Sequence, residues 1–206
     1  MLKLYYAPGT ISIAVAIALE EANLAFDPVK VDFKTAEQTL PDYLAINAKG
    51  RVPALVLEDG MVLTETGALL DYIAAVAPDA NLVPTAPAQA AHMRSAMYYL
   101  ASTMHIAHAH KMRGSRWADN QSSFDDMQAK VPQTMATCAA YVEDQILRGD
   151  FVLGDRFSIA DPYLFVVCNW LEGDNVNVSN YPKIQKFMTA METRASVRTI
   201  REKAML

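Results

Sequence analysis

Three short stretches carry polar groups in places where chemistry could happen. The first, "YYAPGTISIAVAIALEE" from Tyr5 to Glu21, reads as a strand end, a Pro-Gly turn and a helix. Its turn offers Thr10 and Ser12, with Ile11 between them. A helix N-terminus exposes unpaired N–H groups and a partial positive charge, so it stabilises an anion, a thiolate included, and a hydroxyl there can donate to sulfur. The same hydroxyls also make ordinary helix caps. The second stretch, Arg51-Val52-Pro53-Ala54, comes just before a strand, where a residue without an N–H belongs. A cis bond before Pro53 would turn the Val52 N–H and C=O outward, toward an extended peptide. The scarcity of cis bonds favours trans on the residues alone. The third, Thr64-Glu65-Thr66-Gly67, lies at a strand-to-helix junction. Its hydroxyl and exposed N–H groups suit a carboxylate and Glu65 suits an ammonium, which together would hold an amino-acid head group. Simple capping is the other reading.

The remaining reactive residue types point to less. His105, His108 and His110 are spaced i, i+3 and i+5, which do not share one helix face, so no metal site is expected. Cys138 and Cys168 form no Cys-x-x-Cys and join no His/Cys cluster, so they read as buried thiols of a reducing compartment. The net charge of −5 argues against nucleic acid as a partner. A content of 52% apolar and 20% charged residues allows a substantial core. The start of the sequence lacks the pattern of a secretory leader, and no apolar run approaches the ~18 residues a membrane span needs. A soluble, cytoplasmic protein is the expectation. Eleven methionines suit adaptable apolar surfaces as well as ordinary packing.

The elements that must position these groups follow from pattern. Residues 2–6 and 26–33 read as strands, 12–22 as a helix, and 35–46 as a short helix interrupted near Pro41. Apolar runs flank Asp59-Gly60 as in a hairpin, and 65–77 form a helix. The order βαβαββα implies a parallel crossover followed by an antiparallel hairpin, hence a four-stranded mixed sheet with helices packed on it. The proline-rich segment "APDANLVPTAPAQ" reads as a linker. The boundary is drawn at 81–87, between a domain at 1–80 and an all-helical domain at 88–206. Long helices are expected at 88–113 and at 122–148, the latter kinked at Pro132. Further helices follow the Gly154-Asp155 turn and fill 182–193 and 195–205. Ser158-Ile159-Ala160-Asp161 reads as a variant capping box: Ser158 would bond the Asp161 N–H and Asp161 would reach back.

Taken together, "KLYYAPGTIS", "INAKGRVPALVLEDGMVLTETGALLDYIA" and "LGDRFSIADPYLF" resemble the cytosolic glutathione transferases, nearest to the bacterial beta class. The resemblance covers essentially the whole chain. It implies a thioredoxin-like N-terminal domain, a helical C-terminal domain and a homodimer. It also implies a cis Pro53, with Val52 pairing to the cysteinyl part of glutathione and Glu65 and Thr66 holding the γ-glutamyl end. Lys34 or Arg51 would reach the glycine carboxylate. Where the beta-class pattern has a cysteine, this chain has Ile11, which can neither bond a sulfur nor form a mixed disulfide. Ser12 matches the family's adjacent serine and is the first candidate donor to the thiol. Thr10 is second, and Tyr6 matches a family tyrosine near the thiol. His105 matches the histidine of a family His-Lys pair whose lysine is here Ile106. Ile11, His105, Met112, Trp117, Tyr163 and Trp170 would line an electrophile site between the domains. A free thiol has a pKa of ~8.5, and lowering it by about two units takes roughly 2.7 kcal/mol. The implied function is activation of the glutathione thiol and its conjugation to an apolar electrophile. The competing reading is a non-catalytic protein that binds glutathione or an apolar ligand.

Overall fold

The computed structural model describes residues 1–206. Its contacts divide the chain into two compact units, Met1–Pro84 with Glu192–Leu206, and Thr85–Met191. The first unit holds strands β1 (Leu2–Tyr6), β2 (Phe26–Lys30), β3 (Ala54–Val56) and β4 (Val62–Thr64), in the order β2-β1-β3-β4. β1 and β2 are parallel, and β3 is antiparallel to both β1 and β4. This is the thioredoxin-like mixed sheet. Helices α1 (Ser12–Glu21), α2 (Pro41–Ile46) and α3 (Thr66–Val76) connect or follow the strands.

Sequence chemistry accounts for the details. Helix α1 is buried from Ser12 to Leu19, as a helix that is apolar all round must be. β2 stops at Lys30 rather than reaching residue 33. The chain turns at Asp32, whose carboxylate accepts the Lys34 N–H at 2.8 Å while its own N–H donates to Glu37 Oε2 at 2.6 Å. The helical segment expected at 35–46 is interrupted just before Pro41: a 3-10 turn at Glu37–Thr39 ends at the extended Leu40, and Pro41 opens α2 at the first position, where its missing N–H costs nothing. Asp59-Gly60 makes the expected hairpin, with Gly60 at φ +89°.

The second unit is helical: α4 (Pro87–Tyr99), α5 (His105–Ala109), α6 (Gln121–Tyr141), α7 (Ala160–Cys168) and α8 (Pro182–Glu192). A π-helical turn, Leu100–Met104, joins α4 to α5, so the helix expected over 88–113 ends four residues early, at Ala109. α6 continues through Pro132 and closes in a second π-helical turn, Val142–Ile146. Every residue of α7 is buried. Its capping box differs from the expected one. The Asp161 carboxylate does reach back, accepting the Ser158 N–H at 2.7 Å and the Ser158 hydroxyl at 2.9 Å. The Asp161 N–H, however, donates to the Ser158 carbonyl at 3.1 Å and not to its hydroxyl. The second Asp161 oxygen accepts the Val152 N–H at 2.8 Å and ties the preceding loop to the helix start. Glu143 does a similar job for α8, taking the Lys183 and Ile184 N–H groups at 2.9 Å each.

Helix α9 (Ala195–Glu202) lies in the first unit, whereas the linear division had placed it in the helical domain. It packs on α1, where Arg194 grips Glu21 through two 2.6 Å bonds and Lys203 pairs with Glu20 at 2.5 Å. No helix is long and apolar enough to cross a membrane.

Candidate active site

Strand direction alone gathers the three stretches. β1 ends at Tyr6, opposite Lys30 of β2, while β3 begins at Ala54, opposite Tyr5 and Thr64. Ala7, Val31, Pro53 and Glu65 therefore all leave the sheet at one end. Ala7, Val31, Tyr43 and Val52 form a buried cluster there, with Tyr5 and Phe33 packed against it. The N-termini of α1 and α3 follow within a few residues.

The opening turn is a closed hydroxyl network. Ser12 Oγ accepts the Ala7 N–H at 3.2 Å and lies 2.7 Å from Thr10 Oγ1, which donates to the Ala7 carbonyl at 2.8 Å. Each hydroxyl has one proton. Either hydroxyl can donate across the short contact, because Ser12 Oγ also lies 3.3 Å from the Ala7 carbonyl, to which it can donate instead. Neither hydroxyl caps the helix, since α1 begins after Ile11 with no side-chain cap. Ser12 has no exposed surface, whereas Thr10 is partly exposed. Ile11 and Tyr6 are buried, and Tyr6 closes β1.

The Val52–Pro53 bond is cis. Val52 precedes the first paired residue of β3, so its backbone lies outside the ladder. The loop before it is held by two donors to the Arg51 carbonyl, the Tyr43 hydroxyl and Asn47 Nδ2, each at 2.6 Å. Burial pushes the Tyr43 hydroxyl up to about 12, so it remains a donor across the physiological range. The Arg51 and Lys34 side chains are exposed at this end of the unit.

Glu65 sits at φ +73°, unusual for a residue with a Cβ, and backbone of this kind clusters at functional sites. It precedes α3, which also lacks a side-chain cap, so the two hydroxyl-bearing neighbours leave the helix N–H groups to other acceptors. Thr66 is buried at the first helical position. Lys49 Nζ pairs with Glu65 Oε1 at 2.5 Å and donates to Thr64 Oγ1 at 2.8 Å.

Family models match both parts of the chain. The glutathione S-transferase N-terminal domain matches residues 1–75, and the glutathione S-transferase C-terminal domain matches residues 109–203. The chain belongs to the glutathione S-transferase family. A glutathione transferase homologue from Sulfitobacter, crystallised with glutathione bound, is 71% identical with a TM-score of 0.99, covering 100% of this chain and 99% of that one. The beta-class glutathione S-transferase of Sphingomonas chungbukensis is 31% identical with a TM-score of 0.85, over 98% of both chains. Glutathione S-transferase GstA of Escherichia coli O157:H7 is 32% identical over 200 residues, 95% of either chain. The family uses glutathione as co-substrate.

In this glutathione transferase, His105 belongs to the helical unit. Its ring lies 5.0 Å from that of Trp170, while His108 stacks on the same indole at 4.2 Å. His108 Nδ1 also meets the buried Asp174 carboxylate at 2.6 Å, and His110 turns to Trp117 instead. Both cysteines are free and buried, and burial raises the Cys168 thiol, which keeps it protonated and unreactive. Three residues that brace these stretches escaped the reading of the sequence: Tyr43 and Asn47, which hold the Arg51 carbonyl, and Lys49, which pairs with Glu65. The partner of Lys49 is sixteen residues away, and no local pattern signals such a contact.

Proposed function

We propose that this glutathione transferase binds glutathione at the shared end of the sheet, holds its sulfur as thiolate with neutral donors, and joins it to an apolar electrophile. The observation that supports this is the Thr10–Ser12 hydroxyl pair. Ser12 is enclosed and already committed to the turn, so burial exchanges the order expected of the two hydroxyls. Thr10 is the one that faces the sulfur. Its proton turns from the Ala7 carbonyl to the thiolate, and Ser12 then donates to Thr10 Oγ1 and strengthens that bond by polarisation. The Ala7 carbonyl still accepts the Thr10 N–H at 3.3 Å, so it is not left without a donor.

Val52 pairs its backbone with the cysteinyl residue. Glu65 takes the γ-glutamyl ammonium, which displaces Lys49, and Thr66 with the α3 N–H groups takes the adjoining carboxylate. Arg51 or Lys34 meets the glycine carboxylate. The thiol proton leaves to water. The sulfur lone pair then forms a C–S bond as the electrophile accepts electrons into a π system or releases a leaving group. No protein cysteine takes part, because Ile11 stands at the opening turn.

The test is ultraviolet absorbance of bound glutathione thiolate at neutral pH, with retention on immobilised glutathione as the binding control. The expected result is a thiolate signal in the parent chain that Thr10→Ala abolishes and Ser12→Ala reduces. Binding without any thiolate signal would leave a glutathione-binding protein with no activation. Loss in Ser12→Ala with Thr10→Ala unchanged would reverse the roles of the two hydroxyls.

A further inference from the structure

We infer that the residues after α9 are a positioning element of the thiol site, acting through the Met205 carbonyl. This rests on the function proposed above and concerns the same turn. The Gly9 N–H donates to the Met205 carbonyl at 3.0 Å, a bond spanning nearly the whole chain. Pro8 and Gly9 are exposed, so water would otherwise serve this N–H. Gly9 is at φ +67° and a Cβ there would meet nothing within 4 Å. The turn therefore has a left-handed residue with open space on its Cβ side, and it is the turn that carries Thr10.

The acceptor, by contrast, is firmly built. Met205 is completely buried although its neighbours Lys203 and Ala204 are exposed. The Met205 N–H donates to the Ile200 carbonyl at 3.1 Å and the Ala204 N–H to the Arg201 carbonyl at 2.9 Å. This pair of bonds is the Schellman ending of α9, which normally places glycine at the left-handed position. Here Ala204 occupies it at φ +53°. A strained alanine persists only where its surroundings over-determine it. The surroundings are the buried Met205 side chain, the Gly9 bond and the Lys203–Glu20 pair at the far end of α1. Helix α9 thus holds α1 at its end through Glu20 and Glu21, and the following residues hold the turn that leads into it.

Four chains test this: the parent, Met205→Leu, Met205→Ala, and a chain shortened to end at Ala204. Three readouts are compared: amide hydrogen exchange at Gly9, glutathione affinity, and the pH dependence of kcat/KM. A lost tether lets the turn wander, so the shortened chain should show Gly9 exchange faster by about tenfold and an apparent thiol pKa higher by about one unit, which is about tenfold in thiolate fraction below that pKa. Affinity should stay within about twofold, because the head-group contacts are elsewhere. Met205→Leu keeps carbonyl and anchor and should match the parent. Met205→Ala loosens the anchor and should shift both exchange and pKa in the same direction by less. A shortened chain that melts cooperatively yet keeps the parental pH profile and Gly9 exchange overturns the inference. Should it fail to fold, Met205→Ala decides, and an unchanged profile there overturns it equally. A parent chain with no thiolate signal sinks the proposed function instead, and Gly9 exchange then decides the tether by itself.

Discussion

The starts of α1 and α3 lie at the same end of one sheet, and neither has a side-chain cap, yet they are built from opposite materials. Around α1 the groups are neutral: two hydroxyls and a carbonyl, with Ser12 wholly enclosed. Around α3 they are charged and wet, since the Lys49 and Glu65 side chains are 42% and 68% exposed. The difference suits the two halves of one ligand. A charged group enclosed beside a thiolate would need its own buried partner, whereas a hydroxyl adds a hydrogen bond without a charge to desolvate. A head group arrives with both charges already solvated, and exposed partners exchange with water at little cost. On the proposed function, the neutral start governs reactivity and the charged start governs affinity.

The largest effect should come from the neutral side. Thr10→Ala should lower kcat by about 100-fold, the range for losing one donor to a developing or bound anion, with KM for glutathione within about threefold. A pH–rate profile should show the thiol pKa returning toward ~8.5, so that activity recovers as pH rises through that value. Glu65→Gln should do the reverse, raising KM for glutathione by about 30-fold with kcat retained, as loss of a charge-assisted bond of about 2 kcal/mol predicts. Titration calorimetry would check it, and a large kcat loss there would erase the proposed division of labour. Salt offers a smaller and cleaner contrast: from low to high ionic strength KM should rise about threefold while the bound thiol pKa holds still, because screening acts on exposed charges. The smallest effect concerns the frame between the two starts. Tyr43→Phe removes one of two donors to the Arg51 carbonyl and should cost about 1 kcal/mol at neutral pH, read by chemical denaturation. Burial pushes the Tyr43 hydroxyl from its ordinary 10.0 up to about 12 in the folded chain, so its contribution is complete below pH 10 and is lost as pH rises through 12. The variant should lose less stability over that alkaline window.

Much of this architecture was legible beforehand. Strand alternation, the Asp59-Gly60 hairpin and the apolar helices are local patterns, and βαβαββα leaves few topologies open. Errors fell at element ends. The strand expected to run to residue 33 stopped where the Asp32 carboxylate captured the Lys34 N–H, and the helix after Pro87 ended at Ala109 beyond a π-helical turn. The three site stretches were visible as residue types, and so was the absence of a cysteine at Ile11. Their ranking was not visible. Ser12 and Thr10 look alike in a sequence, and only burial separates an enclosed hydroxyl from a reachable one. Lys49 and Met205 were missed because each acts through a partner distant along the chain.

By itself the sequence determined the alternation of strands and helices, the neutral character of the turn before α1 and the charged character of the turn before α3. These depend on neighbours a few residues apart, where side-chain chemistry and backbone preference suffice. Tertiary structure decided which of the two hydroxyls is enclosed and which is reachable, which lysine balances Glu65, and that residues after α9 return to Gly9. Those outcomes depend on burial and on contacts closed across the whole chain, and such contacts exist only once the sheet has brought its strand ends together.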